Sequence, residues 1–268
     1  IMAYTTIDDP SAYFQIALFT GNDSARDITN GGNSDLQPDL IWLKGRSHGY
    51  NHGLFDSSRG TQKELQSNTT SAENTLTAGV SAFNSDGFSF NGANYNTNAY
   101  TFVGWQWKAN GGTTTTNDAS ATSVGNQDSV YQANTTAGFS IVTWTGSNAN
   151  ATLAHGLGVV PHLIIIKARG GTEKWGIYHH KNTSAPETDQ LVLNTADGTA
   201  DSTTLMNDTA PTSTVFTVGD SGIANEVGKT YVGYLFAEKQ GYSKFGSYTG
   251  NGNADGAFVY TGFKPAFV

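Results

Sequence analysis

Six histidines are the side chains best suited to chemistry in this chain: His48, His52, His155, His162, His179 and His180. Only His48 and His52 have the i, i+4 spacing that would put two imidazoles on one helix face. They straddle a stretch that reads as a hairpin loop, with no acidic third ligand placed beside them. Zinc needs three or four converging ligands and supporting hydrogen bonds, so no zinc site is expected. His155-Gly156-Leu157-Gly158 reads as a shaped turn into a strand, where a hydrogen-bonded structural histidine is expected. Asn251, Asn253 and Asp255 alternate as the opening of a calcium loop does, but Gly262 stands where a bidentate glutamate belongs. A hairpin turn at Asp255-Gly256 accounts for the same residues. No cofactor is expected.

Glycoside hydrolysis requires two carboxylates facing each other across a cleft. Asp56, Glu64, Asp86, Glu173 and Glu238 are available, yet none recurs between the repeats described below; Asp56 is matched by His179 or His180. No phosphate loop or dinucleotide fingerprint occurs, and the Gly-x-Ser-x-Gly match Gly45-Arg46-Ser47-His48-Gly49 falls in an expected hairpin loop and not at the strand-to-helix turn that a nucleophile elbow needs. The chain therefore reads as a non-enzyme. Lys44, Asp56 and Arg59 fall at the ends of adjacent expected strands and read as a structural ion-pair cluster pinning a sheet edge. Trp105 and Trp107 alternate in one strand and share a face, which reads as core. Loop residues Tyr50, His52 and Tyr95 are the better candidates for binding a ligand.

Positioning any of these residues falls to strands. Pro38-Asp39-Leu40-Ile41-Trp42-Leu43-Lys44 returns as Pro161-His162-Leu163-Ile164-Ile165-Ile166-Lys167, and Pro265-Ala266-Phe267-Val268 begins it again. A short apolar run led by proline is a buried strand. Phe19-Thr20-Gly21, Trp144-Thr145-Gly146 and Tyr248-Thr249-Gly250 precede the three prolines at spacings that agree within two residues. Tyr100-Thr101-Phe102-Val103-Gly104-Trp105 matches Lys229-Thr230-Tyr231-Val232-Gly233-Tyr234. Three motifs in a fixed order mean an internal duplication. The expected units are residues 1–109 and 139–240, a Gly/Thr/Ser linker at 110–138, and at 241–268 the start of a third unit or strands donated to a neighbour. Ser85-Asp86-Gly87 marks a hairpin turn between Val80–Phe83 and Gly87–Phe90, and Ala72–Ala78 is the one stretch there with helical character.

Composition agrees with a β-rich exterior protein: 32 glycines, only 13% charged residues and much Asn, Thr and Ser. A net charge of −8 argues against a nucleic-acid partner. The absence of cysteine gives no redox information. No segment approaches a membrane span in length, and Met2-Ala3-Tyr4-Thr5-Thr6-Ile7 lacks the basic and apolar regions of a secretory signal.

The order Trp42-x-Lys44, Asp56-x-x-Arg59-Gly60, Asp86-Gly87-Phe88, Trp105-x-Trp107-Lys108, then His155 to Pro161 and Gly241 to Gly252, resembles the repeated domains of bacteriophage virion proteins. The resemblance covers nearly the whole chain. It implies tandem antiparallel β-sandwiches of jelly-roll, lectin-like type in an all-β protein on the exterior of a virion. The expected function is that of a tail-fibre or appendage structural protein that binds a host-surface glycan. The rival readings are a capsid decoration protein and a polysaccharide depolymerase. Expected partners are other virion proteins and further copies of the chain, with a trimer suited to a fibre.

Overall fold

Proline cannot donate to a sheet ladder, so Pro38 and Pro161 each stand just outside the strand they lead. The strands that follow lie mid-sheet with both faces covered, which is why they read as unbroken apolar runs. The computed structural model describes residues 4–268; the expectation for Met2-Ala3 falls outside them.

Unit one holds β1 (Phe14–Thr20), β2 (Arg26–Ile28), β3 (Leu40–Gly45), β4 (Gly53–Asp56), β5 (Lys63–Gln66), β6 (Asn74–Thr75), β7 (Val80–Asn84), β8 (Gly87–Phe90) and β9 (Thr101–Trp107). Its large sheet runs β1-β9-β3-β4-β5-β6 and its small sheet β2-β8-β7. Unit two holds β10 (Thr115–Asn117), β11 (Ser129–Asn134), β12 (Phe139–Thr145), β13 (Ala151–Ala154), β14 (Leu163–Ala168), β15 (Gly176–His179), β16 (Asp189–Val192), β17 (Ala200–Asp201), β18 (Val215–Val218) and β19 (Thr230–Phe236). Its large sheet runs β10-β11-β12-β19-β14-β15-β16-β17, backed by β13-β18. The fold is all-β, with antiparallel pairing throughout these sheets.

From β12 onward the second large sheet repeats the first strand for strand. The registers agree too: Leu40 lies opposite Trp107 and Asp56 as Leu163 lies opposite Phe236 and His179. In units one and two the Thr-Gly motif ends the first strand of the repeat at a close backbone approach. A Cβ on Gly21 would lie 2.1 Å from Thr97 O, and one on Gly146 would lie 2.0 Å from Glu226 O. The neighbouring buried amides Asn96 and Asn225 bond the same loops in both units.

Side chains along a strand alternate between faces. Ile41, Leu43 and Phe55 point into unit one's sandwich with Phe88, Phe90 and Phe102. Ile164, Ile166 and Tyr178 do the same in unit two with Trp144, Phe216 and Tyr231. The alternate residues form a third core that belongs to neither sandwich: Leu40, Leu54 and Leu65 pack against Phe139, Ile141, Ile165, Trp175, Val232 and Tyr234. The large sheets therefore meet face to face, with a small sheet outside each. Full burial of such side chains is worth about 1.5–3 kcal/mol apiece, so this seam carries much of the folding energy.

Four expectations need correction. Residues 110–138 are not a linker: β10 and β11 extend unit two's large sheet past β12. Ala72–Ala78 forms no helix but contains β6, and the short α-helices are Ala119–Thr122 and Thr203–Met206. Trp105 and Trp107 share a face, but it is the outer face of the large sheet and not the sandwich interior; Trp107 reaches Phe236 in the seam. Residues 241–268 form no strand of a third unit within this chain. The Phe267 ring, at the repeat position of Leu40 and Leu163, lies 5.5 Å from Trp105 and from Trp107. The Val80–Phe90 hairpin is as expected, and Gly87 takes φ +102° at its turn.

Candidate functional site

The densest group of charges is buried in the seam. Asp56 ends β4, where its Oδ1 accepts the Arg59 backbone N–H at 2.8 Å and its Oδ2 pairs with Arg59 Nε. Arg59 spends its remaining donors on Leu54 O and Glu73, both at 3.0 Å. Tyr234 of unit two donates to Asp56 Oδ2 at 2.6 Å. Glu73 in turn receives the Arg169 fork at 2.8 and 2.9 Å, the bidentate arrangement that makes arginine–carboxylate pairs strong. Burial lowers the Arg59 pKa, but Asp56, Tyr234 and Glu73 more than reverse this, so the guanidinium stays charged. Burial raises the Glu73 pKa, and Arg169 and Arg59 pull it below the usual carboxylate range. Burial chiefly holds the Tyr234 hydroxyl protonated.

Asp56 and Arg59 thus pair as expected, but in an inter-unit junction and not at a sheet edge. Lys44 is not part of the cluster. Leu40 faces Asp56 at one end of the β3–β4 hairpin, whereas Lys44 lies at the other end with its Nζ 3.4 Å from Tyr50 O. More seam contacts come from residues outside the expected ion-pair cluster. Trp175 Nε1 donates to Gln66 O and Thr69 O, Lys167 Nζ donates to Thr70 O, and Gln132 Nε2 bonds Ser57 and Ser58. Asp39 accepts the N–H groups of Ala109, Gly111 and Gly112 within 2.8 Å and the Ser57 hydroxyl at 2.6 Å, fixing the passage between units.

The ligand candidates separate. Tyr95 is buried at φ +57° and its hydroxyl donates to Glu64 at 2.5 Å inside unit one, so it is withdrawn as a ligand contact. Tyr50 and His52 stay at the hairpin end of unit one, half-buried. Burial, then the Lys44 charge, lowers the His52 pKa. Beside Tyr50 the structure adds His48, exposed and stacked on Tyr100 at 4.7 Å. These rings, with Lys44 nearby, form an aromatic patch able to stack on a flat apolar surface and offer hydrogen bonds at its rim.

The carboxylates considered for hydrolysis all have structural partners: Asp56 has Arg59, Glu64 has Tyr95, Asp86 accepts Leu36 N–H, Glu173 holds Lys229 and Glu238 accepts Phe245 N–H. A surface trough of about 470 Å³ over β10–β12 is lined by Thr116, Ser129, Thr143 and Arg169, with Asp128 as its one carboxylate. Among the described residues no group of three His, Asp or Glu side chains is placed to hold a metal. In the calcium-like turn, Asn251 Oδ1 accepts Asn253 N–H and its amide donates to Gly256 O. That turn has no flanking ladder, so it is not the hairpin expected. His155 is the structural histidine expected: its Nδ1 accepts Leu157 N–H and its Nε2 lies 3.2 Å from Thr212 O.

Fold and seam together define a class: a tandem β-sandwich protein whose repeats share one buried polar junction. The chain belongs to the family described as a domain of unknown function, DUF7483, whose model matches residues 9–268. No curated protein and no solved structure matches it.

Proposed function

We propose that the protein is a non-catalytic structural module of a bacteriophage particle, exposed as part of a tail fibre or similar appendage. The observation that supports this reading best is the use to which its charged side chains are put. The carboxylates considered for hydrolysis have structural partners in the seam, inside unit one or at turns, which suits a rigid load-transmitting body. The resemblance of its motif order to that of virion proteins and the sparsely charged, Asn/Thr/Ser-rich composition support the location.

The ligand surface is the aromatic patch of His48, Tyr50 and Tyr100, and a host-surface glycan is the ligand whose chemistry fits it. The apolar face of a pyranose packs on an aromatic ring while its hydroxyls take rim hydrogen bonds. The test combines immunogold labelling of particles with a glycan array probed by the protein and by His48→Ala and Tyr100→Ala variants. Label on the tail and glycan binding that falls at least tenfold in the variants are expected. Label on the head lattice would replace the reading with a decoration protein, and cleavage of the glycan would replace it with a depolymerase.

A further inference from the structure

β1 is the edge of its sheet, whereas its counterpart β12 is not. In unit two β11 pairs along β12 from Val130–Thr143 to Asn134–Phe139, and the Ser129 hydroxyl reaches Ala154 O of β13 at 3.2 Å. The same seat in unit one is an open groove of about 280 Å³, walled by Ile16–Phe19 on one side and Arg26–Gly31 on the other. Residues 4–13 do not fill it: they carry only a short 3₁₀ turn, Pro10–Ala12.

The backbone along this edge is ready to pair. Gly21 N–H bonds Tyr100 O and Lys108 N–H bonds Tyr13 O, so odd-numbered residues of the strand turn towards β9. Phe14, Ile16, Leu18 and Thr20 therefore turn their N–H and C=O groups to the open side. The Thr20 carbonyl alone is taken, by Arg26 at 2.7 Å. The strand Phe-Gln-Ile-Ala-Leu-Phe-Thr has no charge and no proline, the devices that normally blunt an edge. Ile16 is 38% exposed and Leu18 64%, whereas Ile141, at the repeat position of Ile16, is buried in the seam. Phe14 and Trp105 on the same face continue into Trp42 and Trp107 of the seam.

We infer that β1 is a self-association edge, pairing antiparallel with β1 of a second copy of this chain about a two-fold axis through Ala17. The register is self-consistent. With Ala17 on the axis, Ile16 faces the partner's Leu18 and Leu18 faces the partner's Ile16. Both residues have outward backbone groups, so each pair exchanges two hydrogen bonds, and their exposed side chains cover one another. Slipping the register by one residue would pair Ile16 with the partner's Ala17, outward-bonded against inward-bonded, and form no ladder; among the registers that do, only the one centred on Ala17 sets Ile16 against Leu18. The inference does not depend on where the protein resides.

Sedimentation of the full chain across a micromolar concentration range tests it, together with hydrogen exchange at the Ile16 and Leu18 amides. A dimer is expected, with both amides protected and losing that protection on dilution. Leu18→Lys, at an exposed position, is expected to weaken association at least tenfold while the melting transition is kept. If that variant does not fold, the amides of the unsubstituted chain decide. A monomer at all concentrations, a trimer, or a dimer whose Ile16 and Leu18 amides exchange freely would overturn the assignment. So would a folded Leu18→Lys variant that dimerises as tightly as the unsubstituted chain.

Discussion

Tyr234 donates its hydroxyl proton to Asp56 across 2.6 Å, joining two residues 178 positions apart in the chain. Through Arg59, Glu73 and Arg169 that single contact extends into a path that crosses from one sandwich to the other twice. Removing either end of the pair has different consequences. Asp56→Asn strands a fully buried guanidinium beside a neutral amide and should cost about 3–5 kcal/mol. Tyr234→Phe removes one charge-assisted hydrogen bond and should cost about 1.5–3 kcal/mol. Urea denaturation of the two variants and their double combination measures both. Losses that simply add would mean the residues do not act together.

Glu64 offers a second buried test. One of its oxygens accepts from Tyr95, and the other is buried without a partner. Tyr95→Phe should therefore leave a wholly unpartnered carboxylate and cost about 1–3 kcal/mol. Adding Glu64→Leu to that variant should recover part of the loss. A Tyr95→Phe protein as stable as the parent would show that the hydroxyl is not satisfying Glu64.

Acid should weaken the fold well before the ordinary carboxylates titrate. Burial pushes the His155 pKa down from 6.5 to about 4, with the Thr212 carbonyl opposing it only in part. The unfolded chain then takes up a proton that the folded chain refuses. This contribution is whole above pH 6.5 and is lost as pH falls towards about 4, by up to about 1.4 kcal/mol per pH unit. Burial also lowers the His162 and His179 pKa values, which acts in the same direction. Denaturation midpoints across this range should fall on acidification, and His155→Gln should flatten the profile.

The seam should make the two sandwiches unfold as one. Trp175 is buried and donates across it, so Trp175→Ala should cost about 3–5 kcal/mol and move a single transition rather than split it. Residues 4–109 expressed alone would expose Leu40, Leu54 and Leu65 and should aggregate or bind a hydrophobic dye. Two separate calorimetric transitions in the intact chain would contradict this account.

The sequence showed most where one residue type has one structural meaning. Proline before an apolar run located β3 and β14, and the fixed motif order exposed the duplication. Period two correctly placed Trp105 and Trp107 on a common face, but alternation alone does not say which face looks inward. Lys44 was misplaced because strand ends were read without the hairpin register, which carries it away from Asp56. Thr, Ser and Asn at 110–138 looked like a linker because β10 and β11 are polar strands without a continuous apolar run. The seam itself left almost no local trace. Glu73, Arg169 and Tyr234 are ordinary residues until the fold brings them together, and only the i, i+3 spacing of Asp56 and Arg59 was visible beforehand.

Asp56 stands where unit two has His179, and Tyr234 stands where unit one has Trp105. A chain built from two first halves would set an indole against Asp56 in place of the phenol that now completes it. One built from two second halves would lose the carboxylate altogether. The duplicated parts have become complements and are no longer interchangeable, so shuffling them should yield proteins that lose the join and, with it, much of their stability.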